Sequence, residues 1–336
     1  MDSYKTILKS LLNELQDYLR STEIRNFASN SEHFPVMVRE VLFFYKQINK
    51  ELPLVLDCTL GSAAHSIYLY HAKQGIFYAF ERDKRMINIA KGNLEKAQMP
   101  YTILNSTLRE TININLINSE IKFYILNKRF SFAYEFLNQI NQKVDFLICD
   151  LGLSMYHLKE DWGFSYKRNA LDFRLDEDSL DAKTVLNQYT HKELADILYL
   201  FGQERLAKKI AKEIIDKRPI KTAIELKEII KKIYTKKFKT YIPDKVVQKT
   251  FQSLRIFTNS ELEELKNLLE NLDSILNANG MAVFISFHSL EDGLIKNYLK
   301  KYKDTIIFKK PLLPTREEIF FNPPSHSAKM RILWKR

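Results

Sequence analysis

The stretch LDCTLGSAAHSIYL, from Leu56 to Leu69, decides the fold. It begins as an apolar strand, passes through a loop that contains Gly61, and continues as a helix near Ala64. A strand, a glycine loop and a helix in this order open the nucleotide-binding half of α/β proteins. Loops that cradle a pyrophosphate carry two or three glycines. The single glycine therefore raises the question of which ligand this loop accepts.

Strands and helices alternate on both sides of this stretch. The predicted strands are LPLVLDCTL (52–60), GIFYAFERD (75–83), YTILNS (101–106), VDFLICDLGLS (144–154) and GMAVFISF (280–287). Helical patterns separate them, and a polar, Asn-rich stretch precedes the fourth. This alternation predicts an α/β fold whose parallel sheet is covered by helices on both faces.

The alternation stops in the middle of the chain. Residues 155–249 contain no clear strand, and capping boxes at Thr190 with Glu193 and at Thr222 with Glu225 predict helix starts. We therefore expect an all-helical insertion at 155–249 within an α/β domain formed by 31–154 and 250–336. Residues 1–30 are predicted as a helical extension, because leucine and isoleucine recur there at helical spacing.

Further capping patterns are predicted where the α/β alternation resumes. Ser260 with Glu263, and Ser289 with Asp292, are expected to begin the next two helices.

The charge of the chain indicates its partner. The net charge is +11, with a pI near 9.3, and 45% of the residues are hydrophobic. Lysines concentrate in two helical patterns, RLAKKIAKEIIDKR (205–218) and ELKEIIKKIYTKKFK (225–239). Nucleic acid is the leading expectation, an anionic membrane surface comes second, and an ordinary lysine-rich surface is the alternative. The insertion is the expected RNA-recognition domain.

Several classes of protein are not supported by the sequence. Cys58 and Cys149 lie in apolar runs and are predicted to be buried rather than bridged. The histidines are scattered, so we expect no metal site. Neither a signal peptide nor an apolar run long enough to span a bilayer is present. We expect a soluble, cytoplasmic protein.

Two glycines and three carboxylates mark the expected site. Gly61 and Gly152 each follow a predicted strand, near Asp57 and Asp150. Open α/β sheets bind ligands at this edge. Glu81 ends the second strand, where a carboxylate receives the hydroxyls of a ribose. S-adenosylmethionine is favoured over a dinucleotide, because it has no phosphate and tolerates a loop with fewer glycines.

Nine ordered blocks between residues 33 and 331 resemble the RsmH (MraW) family. They are HFPVMVREVL, DCTLGSAAHS, FERDKRMINIA, CDLGLS, GFSYKRNALDFRLD, YLFGQERLAKKIAKEI, TFQSLRIFTNSELEEL, ISFHSLED and NPPSHSAKMR. The resemblance implies a class I, Rossmann-like methyltransferase sheet with a helical insertion. It also implies methylation of the N4 amine of one cytidine in the decoding region of 16S ribosomal RNA, within the small subunit.

The resemblance assigns a set of cofactor-binding positions. They are Ala63, Ala64, His65, Glu81, Leu108, Asp150 and His157. Ala63 and Ala64 stand where the family usually has glycines, and Glu81 stands where it usually has aspartate. The NPPS sequence at 322–325 is similar to a motif of DNA amino methyltransferases, but its position matches the basic C-terminal block of the RsmH family better.

The expected reaction is direct methyl transfer. The cytosine amine is a poor nucleophile, so the site must align it and supply a hydrogen-bond acceptor. Asp150 is a candidate for this acceptor, although a cofactor role fits it equally well. His288 and Ser289 are candidates to hold the target base or backbone. Arg174, Arg255 and Arg331 are candidate RNA contacts.

Two other functions stay open at this point. One is a catalytically silent RNA-binding protein of the same fold that acts in ribosome assembly. The other is a methyltransferase acting on DNA or another RNA, against which the blocks at 163–176 and 250–256 argue. The sequence leaves the oligomeric state undetermined.

Overall fold

The computed structural model describes residues 2–24, 34–104, 122–239, 244–302, 308 and 310–335. The chain forms two compact units. One comprises Met1–Gly152 and Glu264–Arg336, and the other comprises Leu153–Glu263. The first unit is α/β, and the described residues of the second form helices and loops.

The α/β unit is built on a seven-stranded sheet. The strands are β1 (Leu54–Asp57), β2 (Ile76–Phe80), β3 (Thr102–Leu104), β4 (Phe123–Leu126), β5 (Val144–Asp150), β6 (Leu276–Ser286) and β7 (Lys329–Trp334). Their order across the sheet is β3-β4-β2-β1-β5-β6-β7. All neighbours pair in parallel except β6 and β7, which are antiparallel. The carboxyl ends of β2, β1 and β5 therefore lie side by side.

Two strands were missed by the sequence prediction. β4 consists of four buried residues, FYIL, and a run this short has no period that separates strand from helix. β7 lies in the block KMRILW, whose basic residues gave no strand signal. Its partner β6 is distant in sequence, with Met281 opposite Trp334 and Ser286 opposite Lys329. Only tertiary pairing reveals both strands.

Helices cover both faces of the sheet, as predicted. They are α1 (Asp2–Ser21), α2 (Val38–Lys46), α3 (Ala64–Ala72), α4 (Lys84–Lys96), α5 (Ala133–Gln139), α12 (Glu261–Glu270), α13 (Leu272–Ile275), α14 (Ser289–Leu299) and α15 (Arg316–Phe321). Successive strand residues enter opposite cores: Val55 packs with α2 and α3, whereas Leu56 packs with α5 and α12. This alternation follows from the two-residue period of a strand. Among the described helices, none has the length and hydropathy to span a membrane.

The predicted N-terminal extension contributes to the core. Leu11 and Leu15 of α1 are buried in the same cluster as α2. Arg39, itself buried, donates to the carbonyl oxygens of Leu19 (3.2 Å) and Thr22 (2.9 Å) at the end of α1. A helix leaves its last carbonyls without partners, so this arginine caps α1 and fixes it to α2.

The helical unit has its own core. Its helices are α6 (Met155–Lys159), α7 (Ala182–Gln188), α8 (His191–Gly202), α9 (Ala207–Asp216), α10 (Ala223–Phe238) and α11 (Gln248–Thr258). The structure confirms both predicted capping boxes, at Thr190 with Glu193 and at Thr222 with Glu225.

This unit extends to Glu263, beyond the residue 249 expected for the insertion. The reason is that Phe251 and Leu254 of α11 are buried in the helical core. The Asn259 side chain also bonds the backbone of Phe173 and Leu175.

The other two predicted helix starts differ from the structure. α12 begins at Glu261, and Glu263 N donates to the backbone carbonyl of Ser260 at 3.1 Å. At α14 the cap is His288 rather than Ser289. His288 Nδ1 accepts from Glu291 N at 3.4 Å, and the Glu291 carboxylate accepts from His288 N at 3.3 Å. An imidazole nitrogen thus takes the place of the predicted hydroxyl.

Candidate active site

The loop after β1 is held by backbone hydrogen bonds to both neighbouring strands. Cys58 N donates to Ile148 O, and Leu60 N donates to Phe80 O, each at 2.9 Å. Gly61 has φ +53° and Ala63 has φ +67°. The loop therefore turns through two left-handed residues, one of which is not glycine. Left-handed backbone costs an L-residue about 1 kcal/mol or more, so Ala63 is strained.

The methyl group of Ala63 points into the protein. This residue is fully buried and belongs to the hydrophobic cluster under the loop. Ala64 is the first residue of α3 and has no positive φ. The alanine at 63 therefore strains the backbone without occupying space outside the loop.

Asp57 braces the loop from inside. Its Oδ1 accepts from Thr59 N at 3.0 Å, and its Oδ2 accepts from Ser66 Oγ at 2.6 Å. Burial raises its pKa to about 6, against the lowering effect of these two hydrogen bonds. Both oxygens are engaged with the protein, which makes Asp57 a positioning residue.

Glu81 links the end of β2 to the same loop. Its Oε2 accepts from Gly61 N at 2.9 Å, and its Oε1 accepts from Asp83 N at 2.8 Å. Burial, followed by the nearby Asp83 charge, raises its pKa to about 7 against the hydrogen bonds that favour the carboxylate. Each carboxylate oxygen has a second lone pair, so Glu81 can also accept from a ligand.

Asp150, at the end of β5, has an unused acceptor. Its N donates to Thr59 Oγ1 at 2.8 Å, which fixes the backbone against the β1 loop. Its Oδ1 is buried and has no hydrogen-bond partner. Burial raises its pKa to about 8, with further raising by the Asp57, Glu291 and Glu318 charges. A buried acceptor without a partner is costly, and such sites are typical of ligand contacts.

His65 lies beside Asp150. Its Nε2 is 3.0 Å from the Val36 carbonyl oxygen, and its Nδ1 is 3.7 Å from Asp150 Oδ2. Because a carbonyl only accepts, Nε2 carries the proton and Nδ1 presents a lone pair toward Asp150. Burial lowers the His65 pKa to about 4, so the ring is neutral at pH 7. The neutral ring lies beside Asp150 without forming an ion pair with it.

Gly152 allows the chain beyond β5 to lie close to the next strand. A Cβ at this position would come within 2.9 Å of Phe287 Cε2. Any side chain would force the Phe287 ring to move. The close approach of the Phe287 ring therefore explains the glycine at position 152.

The structure brings together five of the predicted cofactor positions. Ala63, His65, Glu81 and Asp150 lie at the carboxyl ends of three adjacent strands, β1, β2 and β5, with Ala64 at the start of α3. Leu108 lies outside the described residues. His157 belongs to the helical unit, where its ring lies 5.0 Å from Phe164 and 5.6 Å from Trp162.

The predicted RNA contacts are divided between the units. In the helical unit, Arg174 forms a two-pronged pair with Asp172 (2.6 and 2.9 Å), and Arg255 donates to Glu261 at 2.8 Å. In the α/β unit, Arg331 is only 8% exposed and donates to Asp292 at 2.6 Å.

The remaining two predicted contacts lie at the start of α14. His288 is the helix cap described above, and Ser289 is exposed at the first residue of the helix. His288 therefore has a structural role as a helix cap. Arg331 is likewise engaged within the protein, by its pair with Asp292.

Sequence analysis missed two buried acids near this edge. Glu318 of α15 is fully buried, accepts from Met37 N at 2.6 Å, and raises the pKa of Asp150 through its charge. Glu40 of α2 is 1% exposed, and neither of its carboxylate oxygens has a partner. Burial and the charge of Glu40 raise the pKa of Glu318 to about 8. No local spacing predicts either position, because α2, α15 and β5 are distant in sequence.

Comparison with known proteins gives one consistent result. The family model described as "MraW methylase family" matches residues 30–336. The chain is 34% identical over 305 residues to ribosomal RNA small subunit methyltransferase H of Thermosipho africanus, covering 90% of this chain and 97% of that protein. It is 35% identical over 332 residues to the protein of the same name from Caldicellulosiruptor saccharolyticus, covering 90% and 99%.

Proposed function

Because the chain belongs to the MraW methylase family, we propose that it methylates the N4 amine of one cytidine in the decoding region of 16S ribosomal RNA, using S-adenosylmethionine. The observation that carries this proposal is the unpartnered, buried Oδ1 of Asp150 at the sheet edge that also presents Glu81. A carboxylate for the cofactor and a free acceptor for an amine are the two polar groups this reaction needs. Ribosomal RNA as the substrate implies a cytoplasmic site of action.

The residues present fit the proposed cofactor. Glu81 directly follows β2, the position at which a carboxylate binds ribose hydroxyls, and each of its oxygens keeps a second lone pair. The Ala63 methyl is buried in the core, so this residue presents no side chain to a ligand at the β1 loop. Bound S-adenosylmethionine supplies a methyl group carried on a positively charged sulfur. A cation at this edge would favour the ionised form of Asp150.

Asp150 is the proposed acceptor for the target amine. The lone pair of the cytosine N4 is delocalised into the ring, so the amine reacts only when it is held in line with the methyl group. A hydrogen bond from N4–H to Asp150 Oδ1 would orient the amine and localise its lone pair. The same carboxylate would take the proton as the new N–C bond forms.

The helical unit is the proposed RNA-recognition domain. Residues 207–239, which include α9 and α10, contain twelve Lys or Arg against four Asp or Glu, a net charge of +8. This is most of the +11 of the whole chain. Ile210 and Ile214 of α9 and Leu226 of α10 are buried, whereas Lys208, Lys212 and Lys236 are exposed. A surface of this charge binds RNA phosphates.

The role of the proposed arginine contacts follows from their exposure. Arg174 is 38% exposed and can exchange its Asp172 partner for a phosphate. Arg255 is 17% exposed, so an RNA contact there requires its Glu261 pair to open.

Titration calorimetry with S-adenosylmethionine is the test. We expect binding by the wild-type protein, loss of binding in Glu81→Ala, and unchanged binding in Glu51→Ala, an exposed acid at the amino end of β1. Mass spectrometry of small ribosomal subunits treated with the protein should then show one N4-methylated cytidine. A folded protein that binds ribosomal RNA but not the cofactor would refute the proposal and favour a silent assembly protein.

A further inference from the structure

Phe320, in α15, has the most exposed large apolar side chain of the described residues. Its exposed fraction is 77%, and Leu313, seven residues earlier, is 63% exposed. Single exposed apolar residues are common on protein surfaces, so exposure by itself does not define an interaction site. The segment that contains both side chains, residues 310–327, ends before β7.

The Phe320 ring is held by its neighbour. The ring of Phe321 lies 5.1 Å from it, at an interplanar angle of 89°. An edge-to-face contact of this kind is favourable and restricts the orientation of the exposed ring. A ring that is held in place loses little freedom when a flat partner covers it.

α15 places Phe320 next to the candidate active site. Glu318, two residues earlier, is fully buried and accepts from Met37 N at 2.6 Å. The carbonyl oxygen of the preceding residue, Val36, lies 3.0 Å from His65 Nε2, and His65 Nδ1 lies 3.7 Å from Asp150. Helix residues two positions apart do not share a face. The helix therefore turns Glu318 toward the sheet edge and Phe320 toward solvent beside it.

The charge around Phe320 selects the type of partner. Lys310, Arg316 and His326 are exposed in the same segment. Of its two acids, Glu318 is buried, and Glu317 is paired with Arg39 at 3.2 Å. An exposed apolar ring in a segment with exposed basic side chains complements an unpaired nucleotide, which has a flat base and a phosphate.

We propose that Phe320 stacks on an unpaired base of the RNA, adjacent to the cytidine that enters the site. This inference rests on the proposed function, because it takes RNA as the substrate. Target bases must leave their stack to reach an enclosed site, which exposes the face of a neighbouring base. Phe320 would bind that face and so select substrates with an open loop at this position.

Binding and kinetics of Phe320→Ala test the proposal. The probe is a synthetic hairpin carrying the decoding-region loop, with 2-aminopurine beside the target cytidine. Stacking predicts quenched fluorescence with the wild-type protein and less quenching with Phe320→Ala. Affinity for the hairpin should fall about tenfold, the usual range for one stacked base. Phe320→Trp should restore both.

These measurements distinguish the loss of base stacking from a general loss of structure. In Phe320→Ala, the KM for RNA should rise, while kcat at saturating RNA and the affinity for S-adenosylmethionine stay unchanged. Leu52→Ala removes another exposed apolar side chain, next to the amino end of β1, and should change nothing. A fully paired duplex should bind Phe320→Ala and wild type equally.

Two results would overturn the proposal. One is equal hairpin affinity and equal quenching in wild type and Phe320→Ala. The other is an equal loss of affinity for hairpin and duplex, which would mean that the ring does not contact an unpaired base. If the wild-type protein binds the hairpin but transfers no methyl group, the proposed function fails, and the quenching experiment still decides whether Phe320 stacks.

Discussion

At the residue scale, Ala63 shows how this loop works without its usual glycines. The residue has φ +67°, a conformation in which an L-residue is strained, yet its methyl group is buried in the core. At this position the strained backbone destabilises the fold, whereas burial of the methyl group stabilises it. The loop keeps its shape because Gly61 and Asp57 hold it through hydrogen bonds to Glu81, Thr59 and Ser66.

We predict that Ala63→Gly changes the free energy of unfolding by less than about 1 kcal/mol, since relief of strain offsets the lost methyl packing. Ala64→Gly is the matched control. It lies within α3, has no strain to relieve, and should destabilise the protein by about 0.5–1 kcal/mol. Urea unfolding of the two variants provides the measurement. A larger loss at 63 than at 64 would contradict the assignment of strain.

Asp150 should make activity depend on pH. The proposed acceptor role requires an ionised carboxylate, and burial raises the pKa of Asp150 in the free protein to about 8. The kcat/KM should therefore rise with pH up to about 8 and then level off. Asp150→Asn should lower kcat by about 10²-fold or more and abolish this dependence. A variant that keeps kcat at saturating S-adenosylmethionine but has a raised KM for it would instead assign Asp150 to cofactor binding.

At the element scale, α14 shows how a helix start can imitate a functional site. His288 follows the end of β6, lies in a loop and has a polar side chain. These are the features expected of a residue that contacts substrate. In the structure it caps α14 through a reciprocal pair with Glu291. Glu291 also accepts from Phe287 N at 2.8 Å, so the cap fixes the whole turn after β6.

We predict that His288→Ala destabilises the protein by about 1 kcal/mol through loss of the cap. His288→Asn should recover most of that stability, because asparagine is a good cap. Thermal unfolding and methyl transfer should be measured on the same samples. If both variants fold normally but lose activity equally, then His288 contacts the substrate, and the cap is incidental.

At the scale of the whole molecule, buried acids dominate the pH dependence of stability. Burial first, together with neighbouring charges, raises the pKa of three carboxyls at the site: Glu81 to about 7, and Asp150 and Glu318 to about 8. In the unfolded chain these groups ionise near pH 4. Between pH 6.5 and 8 the folded state thus holds more protons, and stability falls as the pH rises.

We predict that the free energy of unfolding is about 4 kcal/mol lower at pH 8 than at pH 6.5. Chemical denaturation at the two pH values tests this. Glu318→Gln should reduce the difference, since the amide oxygen still accepts from Met37 N but carries no titrating proton. Glu51→Gln, at an exposed position, should leave the difference unchanged. His65 has its pKa lowered to about 4 and titrates below this range.

The sequence by itself determined the local features of this protein, namely the succession of strand, loop and helix at the site and two of its helix caps. The run from Leu56 to Leu69 specifies a strand, a loop and a helix through hydrophobic periodicity, and Glu81 follows at the spacing of a ribose-binding carboxylate. The capping boxes at Thr190 and Thr222 are equally local, because each involves residues three apart. Such features depend on neighbours along the chain, and the sequence displays those directly.

Only the tertiary structure decided which side chains lie together at the carboxyl edge of the sheet. β7 is recognised as a strand only because it pairs with β6, and Glu318 and Glu40 contribute to the site only because α15 and α2 lie near the end of β5. The exposure of Phe320 and the burial of Arg331 are likewise results of packing. Contacts between segments far apart in the chain have no local period. Burial and charge environment, which set these pKa values, arise only once those segments are assembled.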